Sequence, residues 1–408
     1  MKGAIFIQLC NLLANYVAKL IIRFRITNHR AETMEMKIKI ITVAVAVTII
    51  VGLFAAYVVF DLGNRNEETN VVYYTVEAPA TMKTSLAADR IDGYIAWEPF
   101  VSDSVVGGVG TVLKWSEEIV PNHPCCVVAV YNPFVSDENG QELAARFLRA
   151  HMDATDWINA AMADNESAEY DLLIEIAVEF TERNESVVEE SLQHMKYGYA
   201  MNDQFSDALV NFTEMYMDIG VIKEDEISGG GYDNVTDFVD QYADESYLEL
   251  AESVEPSEAI LNPDDAIRLG YLLGDIHQLA QAVATNMDVL GNGKSMFEDY
   301  GLNVVNAIGA PFANGGAVMN AFAGGYVDIG YLGSPPAILK HLNTEIDTTI
   351  IAQANSEGSA IVVKTGSGIT SMAGLEGKTI ATPGESSIQF LLLKMALQWE
   401  GMELKIKT

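Results

Sequence analysis

Few stretches of this sequence carry residue types that could do chemistry. The sharpest is "TIATPGESSIQFLLLKMAL", where a strand-like run ends at Pro383-Gly384 and Ser386-Ser387 opens an apolar helix. The N–H groups at a helix N-terminus have no intrahelical acceptor and favour an anion, and two hydroxyls add donors. The same serines equally suit a plain helix cap. Two further stretches read almost alike: "SLAADRIDGYIAWEPF" (85–100) and "AFAGGYVDIGYLGSPP" (321–336). Each runs from a helix end through Ile/Val-Asp, then Gly and Tyr, to a Pro-bearing turn. Trp97 and Glu98 stand at one turn, and Gly333, Ser334 and Pro335 at the other. Open α/β sheets bind ligands outside the carboxyl ends of their strands. Two such units facing each other would form a cleft; taken singly, each is also an ordinary helix–strand corner.

Other candidates carry less. His123 stands two residues before Cys125, which adjoins Cys126. A His–Cys pair is the spacing of thiol catalysis, but Pro124 intervenes, and adjacent cysteines also read as two small apolar strand residues. "DVLGNGKS" (288–295) has Asp288 where the phosphate loop needs Gly, so it reads as a turn. Six scattered histidines show no zinc spacing. Neither a metal nor a cofactor is expected, and the chain does not read as an enzyme.

These residues need a scaffold, and composition limits it. The chain has 408 residues, 49% of them hydrophobic, with a formal charge of -33. Residues 1–60 hold seven Lys/Arg against two Glu, so -38 falls on the rest. So acidic a body repels phosphate backbones, which argues against a nucleic-acid partner. Ile40 to Phe60 is a charge-free run of 21 residues behind two lysines. That length spans a bilayer as a helix, and the positive flank predicts the acidic body outside. It reads as an uncleaved signal-anchor, with a cleaved signal as the alternative. Residues 1–36 are either a membrane-surface helix or sequence upstream of a start at Met36. Four Asn-x-Ser/Thr sequons, from Asn165 to Asn234, fit an outward-facing body.

After a polar spacer at 61–70, strand-like and helix-like runs alternate to about residue 141. Helical periodicity dominates from Glu142 to Ile222, "SGGGYDN" (228–234) reads as a loop, and 252–266 reads as a linker with two prolines and five acids. Strand–helix alternation resumes from residue 267. This pattern predicts an α/β fold with a largely parallel sheet.

Five stretches together resemble the nitrate/sulfonate/taurine family of ABC-importer substrate-binding proteins: "IRLGYLLGDIHQLAQAVA", "AFAGGYVDIGYLGSPPAIL", "GSGITSMAGLEGKTIATPGESSIQFLLLKMAL", "AADRIDGYIAWEPF" and "PNHPCCVVAV". The resemblance implies a two-lobed α/β protein of the periplasmic-binding-protein type II fold, closing by a hinge on a small anion such as a sulfonate, taurine or nitrate. It implies delivery to a membrane permease with its ATPase, from an extracellular or periplasmic position. It places ligand contacts at His277 and Gln278, at Gly333 and Ser334, at Ser386 and Ser387, and at Trp97 and Glu98. The halves stand in reversed order. Residues 71–251 match the family's C-terminal half and 267–408 its N-terminal half, so the chain resembles a circular permutant bridged by 252–266. An intact cleft, lobes swapped between chains, and a rearranged, non-functional fragment are the competing readings. In other function classes stand a binder or enzyme for a pyrimidine or thiamine precursor on a related fold, and the ligand-binding part of a membrane sensor.

Overall fold

The computed structural model describes residues 70–407. The proposed membrane segment at 37–60, the N-terminal extension and most of the spacer lie outside the described residues. Among the described residues no helix is long and apolar enough to cross a membrane.

Thirteen strands follow in chain order: β1 (Val71–Val76), β2 (Gly93–Trp97), β3 (Gly110–Trp115), β4 (Cys126–Tyr131), β5 (Met195–Tyr197), β6 (Ile267–Gly270), β7 (Val304–Asn306), β8 (Ile329–Gly333), β9 (Thr348–Gln353), β10 (Asn355–Glu357), β11 (Ser359–Lys364), β12 (Thr379–Thr382) and β13 (Glu403–Ile406). They build a six-stranded sheet in the order β13-β1-β12-β2-β11-β3, a five-stranded sheet in the order β7-β6-β8-β4-β9, and a two-stranded antiparallel pair of β10 with β5. Most pairs in the first are parallel, with β11 antiparallel to both neighbours. In the second, β4 alone runs against its neighbours. Central strands such as "CVVAVY" and "SAIVVK" are β-branched and buried on both faces, as covered parallel-type sheets require. Each sheet draws strands from both ends of the described chain: β1 and β2 flank β12, and β4 lies between β8 and β9.

The two alike stretches now have a structural cause. Asp92 accepts a hydrogen bond from the Thr379 amide at 2.9 Å, at the start of β12. Asp328 accepts one from the Arg268 amide at 2.8 Å, on β6. In each lobe an aspartate before a strand clips the neighbouring parallel strand in register. Their tyrosines are buried hydrogen-bonding anchors, Tyr94 to the Phe100 carbonyl at 2.9 Å and Tyr331 to His151 at 3.0 Å.

Residues 138–252 form a helical layer. Its longest helix, Glu138–Ala163, starts at Asp137, whose carboxylate accepts from the Gly140 amide. It buries Leu143, Phe147 and Leu148 among the helices Leu279–Thr285, Met296–Asp299 and Ser246–Glu252. A helix over Glu224–Gly229 takes the first two residues of the expected "SGGGYDN" loop; the Glu226 carboxylate accepts from the Lys223 amide at 2.7 Å and ties down its first turn. Residues 253–266 hold neither helix nor strand but are pinned: Asn262 donates to the Asn303 carbonyl at 2.9 Å and accepts from its amide at 2.8 Å.

The chain crosses between the sheets at 116–125 and again at 354–358. These crossings lie side by side. The Cys125 amide donates to the Asn355 carbonyl at 3.1 Å, and the Glu357 amide to the His123 carbonyl at 3.1 Å. Two paired crossing segments form a hinge. Glu357 and Gly358 both take left-handed φ there, at 65° and 73°.

Candidate functional site

Beside this hinge, between the two sheets, lies a cavity of about 120 Å³. One buried water needs about 10–15 Å³ by such a measure, so the space suits a small ligand. The six-stranded lobe contributes Trp97, Pro383, Ser386, Ser387, Ile388 and Gln389; the five-stranded lobe contributes Leu272, Asp275, Asn314, Gly315, Gly316 and Gly333. Cys125 lines it from the hinge itself and Cys126 from the start of β4.

Two helices point their N-termini at this space from opposite lobes. Helix Ile388–Trp399 begins after Ser387, whose hydroxyl accepts from the Phe390 amide at 3.2 Å and donates to the Gly384 carbonyl at 2.7 Å. The Ser387 hydroxyl is therefore spent as a cap, while the Ile388 and Gln389 amides have no intrahelical acceptor. Ser386 is exposed, and its hydroxyl has no hydrogen bond among the described residues. Helix Gly315–Ala323 is capped by Asn314, which accepts from the Ala317 amide at 3.0 Å. Glycine at its first two positions leaves backbone N–H groups bare toward the cavity. A Cβ on Gly315 would meet Pro336 Cγ at 2.6 Å, so the close approach requires glycine. The third helix near the cavity, Ser334–Thr344, offers nothing comparable. Its Ser334 amide donates to the Cys125 carbonyl at 2.9 Å, and Pro335 and Pro336 carry no N–H.

The Trp97 indole N–H adds a further donor. Trp97 is 8% exposed, lines the cavity, and its Nε1 has no hydrogen-bond partner. A buried unpaired donor costs about 1–3 kcal/mol, which a ligand acceptor would recover. Thr382 Oγ1, one residue before Pro383, is likewise buried and unpartnered.

The opposite wall is a buried polar cluster. Asp275 Oδ1 accepts from the His277 amide at 3.1 Å and from His277 Nδ1 at 2.7 Å; Oδ2 accepts from Gln278 Nε2 at 3.2 Å. His277 Nε2 faces the Glu357 carbonyl at 3.1 Å. Both ring nitrogens thus face acceptors, which is the pattern of an imidazolium. Burial pulls the His277 pKa down, but the Cys125 thiolate and Asp275 outweigh it and hold it well above the usual range. The Cys125 thiol is in turn held well below its usual range, first by a hydrogen bond from Cys126 and, against burial, by the His277 charge. Cys126 goes the other way, raised by its bond to Cys125 and by burial.

Of the eight residues singled out from the sequence, Trp97, Gly333, Ser386 and Ser387 line this one cavity. His277, Gln278, Glu98 and Ser334 stand behind its walls, each 0% exposed. Gln278 accepts from the Leu272 amide at 2.8 Å and orients Asp275. Ser334 ties the hinge to β8 through the Pro124 carbonyl at 3.2 Å. Glu98 accepts from the Ser102 amide at 3.0 Å and hydroxyl at 2.7 Å, and from the Ser191 hydroxyl at 3.2 Å. Burial pushes its carboxyl up to about 7, against those three hydrogen bonds.

Sequence reasoning passed over Asp275, Asn314, Gly315 and Gly316. The Asn-Gly-Gly ahead of an apolar run was a legible cap signal. Cys125 and Cys126 are both buried, Cys126 as the first residue of β4 and Cys125 just before it. Cys126 Sγ lies 3.7 Å from Asp275 Oδ2 and 3.6 Å from Gln278 Nε2. His123 bonds to the Val120 carbonyl at 2.8 Å and leaves Nε2 unpartnered. Among the described residues no cluster of side chains could hold a metal ion.

Two family models and several curated proteins match parts of the chain. Residues 30–172 match the model of the NMT1-like family, and residues 306–406 match that of the periplasmic substrate-binding protein of phosphonate ABC transporters. Over 157 residues the chain is 30% identical to proteins of Brucella abortus, Brucella suis and Brucella melitensis whose names describe them as binding proteins. That stretch is 38% of this chain and 44% of each relative, so the chain spans under half the length of the curated relatives it matches. No solved structure matches it.

Proposed function

We propose that this chain is the extracytoplasmic substrate-binding component of an ABC importer, capturing a small anion between its lobes and delivering it to a permease and its ATPase. One observation carries the reading. Two helix N-termini from opposite lobes and the unpartnered Trp97 N–H converge on one cavity beside a two-segment hinge. Donors fixed on both lobes favour closure, because only the closed form lets all of them reach one anion. A sulfonate, a phosphonate or nitrate has the acceptor-only surface these donors need. The body's -33 charge opposes anions at long range, so affinity must come from these local donors.

A second reading is a neutral heterocycle of the pyrimidine or thiamine-precursor kind, favoured by the Asp275 carboxylate on the cavity wall. Thermal unfolding against methanesulfonate, taurine, methylphosphonate, nitrate and an aminopyrimidine separates the two. A ligand at a hundred times its Kd stabilises the native state by about 2.7 kcal/mol. A shift with an anion supports the first reading; a shift with the aminopyrimidine alone overturns it.

The reversed halves fit a circular permutant with an intact cleft, since strands from 71–131 and from 267–406 complete each other's sheets within one chain. The charge-free run 40–60 would hold the body at the outer membrane surface. Release of the intact chain by high salt alone, without detergent, would contradict that anchor.

A further inference from the structure

We propose that Asn165, Asn184 and Asn234 carry N-linked sugar attached after the chain has folded, so that the helical layer is the decorated side of the protein and the ligand cavity stays clear. The inference rests on the extracytoplasmic reading above, which puts the body where such transfer takes place.

The sequence clusters the signal. The chain holds 24 asparagines, and five of them fall between residues 165 and 234. Four of those five begin an Asn-x-Ser/Thr sequon, and none of the other 19 does. Chance sequons would follow the asparagines along the whole chain. Helix capping explains part of the pattern. Asn184 and Asn234 cap helices through Oδ1, which accepts from the Val187 amide at 3.1 Å and from the Asp237 amide at 3.0 Å. Asn202 and Asn314 cap helices in the same way, yet neither has a hydroxyl residue two places on. A cap has no use for that hydroxyl; sugar transfer requires it.

The fold decides which sequons are open. Asn165 stands in the turn between helices Glu138–Ala163 and Ala168–Thr181, and Asn184 and Asn234 stand just ahead of helices Glu185–Leu192 and Val235–Tyr242. All three are exposed. The atom that takes the sugar is Nδ2, which in all three makes no hydrogen bond among the described residues. At Asn132, Asn262 and Asn343 the same nitrogen is spent on Asp347, Asn303 and Val221. At Asn184 the two sequon partners already touch, the Ser186 hydroxyl donating to Oδ1 at 3.0 Å. Asn211 differs. It lies inside helix Asp203–Asp218, where Thr213 is 0% exposed and its hydroxyl donates to the Leu209 carbonyl at 2.8 Å. An enzyme that must grip asparagine and hydroxyl together cannot reach that hydroxyl in the folded chain. None of the cavity-lining residues comes from 138–252, so sugar on this layer leaves the cavity open.

In the proposed step the Nδ2 electron pair forms a bond to the anomeric carbon of a lipid-phosphate-linked oligosaccharide. The bond from that carbon to the phosphate oxygen breaks, the lipid phosphate leaves with the bonding pair, and one amide proton passes to solvent. Oδ1 is untouched, so both helix caps survive.

The test uses the full chain purified from the cells that naturally make it. Cleavage after Lys and Arg puts each sequon on its own peptide, at 150–183, 184–196, 197–223 and 224–268. Mass spectrometry is expected to find sugar on the first, second and fourth and none on the third. Asn234→Asp keeps an oxygen at the cap but lacks the nitrogen, and should lose the fourth adduct while still folding. Thr236→Val should lose it too and Thr236→Ser should keep it, a split that a purely capping Asn234 does not produce. A protease added to cells stripped of any outer envelope locates the body independently. If the body is digested and its peptides carry no sugar, the inference falls and the extracytoplasmic reading stands. If the body is protected inside the cell, that reading falls and this inference with it. Sugar on Asn211 in the same yield as on the other three overturns selection by the fold, and so the inference.

Discussion

Glu98 offers the cleanest check on the electrostatics of this interior. Its carboxyl is wholly buried, faces three donors from Ser102 and Ser191, and has its pKa pushed up to about 7 from an ordinary 4.5. Between those values the folded protein keeps a proton that the unfolded chain has lost. The stabilisation is therefore full below 4.5, falls as pH rises through the window, and is gone above about 7. The corresponding free energy is about 3 kcal/mol. Glu98→Gln abolishes the titration. Its amide oxygen can accept from the Ser102 amide and the Ser191 hydroxyl at the Oε2 position, and its NH₂ can donate to the Ser102 hydroxyl, which is free to rotate. Urea unfolding of both proteins from pH 5 to pH 8, read as the difference between variant and wild type, cancels the general repulsion of so acidic a chain. That difference should move in the variant's favour by about 2.5 kcal/mol across the range, since pH 5 already lies inside the window. A difference independent of pH would refute the reasoning, since Glu98 would then ionise alike in both states.

Two further outcomes follow from the hinge and the cavity. Trp97→Phe keeps the ring and its edge contact with Phe100 but removes the unpartnered N–H, so affinity for the bound anion should fall about tenfold to a hundredfold with little change in Tm without ligand; calorimetric titration reads this, and unchanged affinity would place the anion elsewhere. Gly358→Ala puts a Cβ at a φ of 73°, 2.5 Å from His277 Nε2 and 2.6 Å from Met195 Sδ; it should destabilise the fold by about 1–3 kcal/mol in urea unfolding, where an unchanged midpoint would mean that the hinge can relax.

Much of this protein was legible before folding was considered. The β-branched runs "VVYYTV" and "AIVVK" gave strands, and the Ser-Ser before "IQFLLLKMAL" gave a helix start, because these signals are local. The repeat around Asp92 and Asp328 was visible as a repeat. Its role was not, since each aspartate acts on the edge of a neighbouring strand, which no spacing within the stretch reveals. Ser387 shows the limit most plainly: one serine served both a cap and an anion site on paper, and the Phe390 amide and Gly384 carbonyl decided for the cap.

By itself the sequence determined the alternation of strands and helices, the acidic surface and the small-residue turns, which follow from propensity, charge and periodicity along the chain. Only tertiary structure decided which of those turns meet. Trp97, Cys125, Asp275, Gly315 and Ser386 come from five separate segments, and one cavity holds them because two paired crossings fold two sheets against each other. Protonation was decided there too. A histidine's charge depends on which acceptors face its two nitrogens; Asp275 reaches His277 from two residues away, but the Glu357 carbonyl faces the other nitrogen only once the paired crossings have formed.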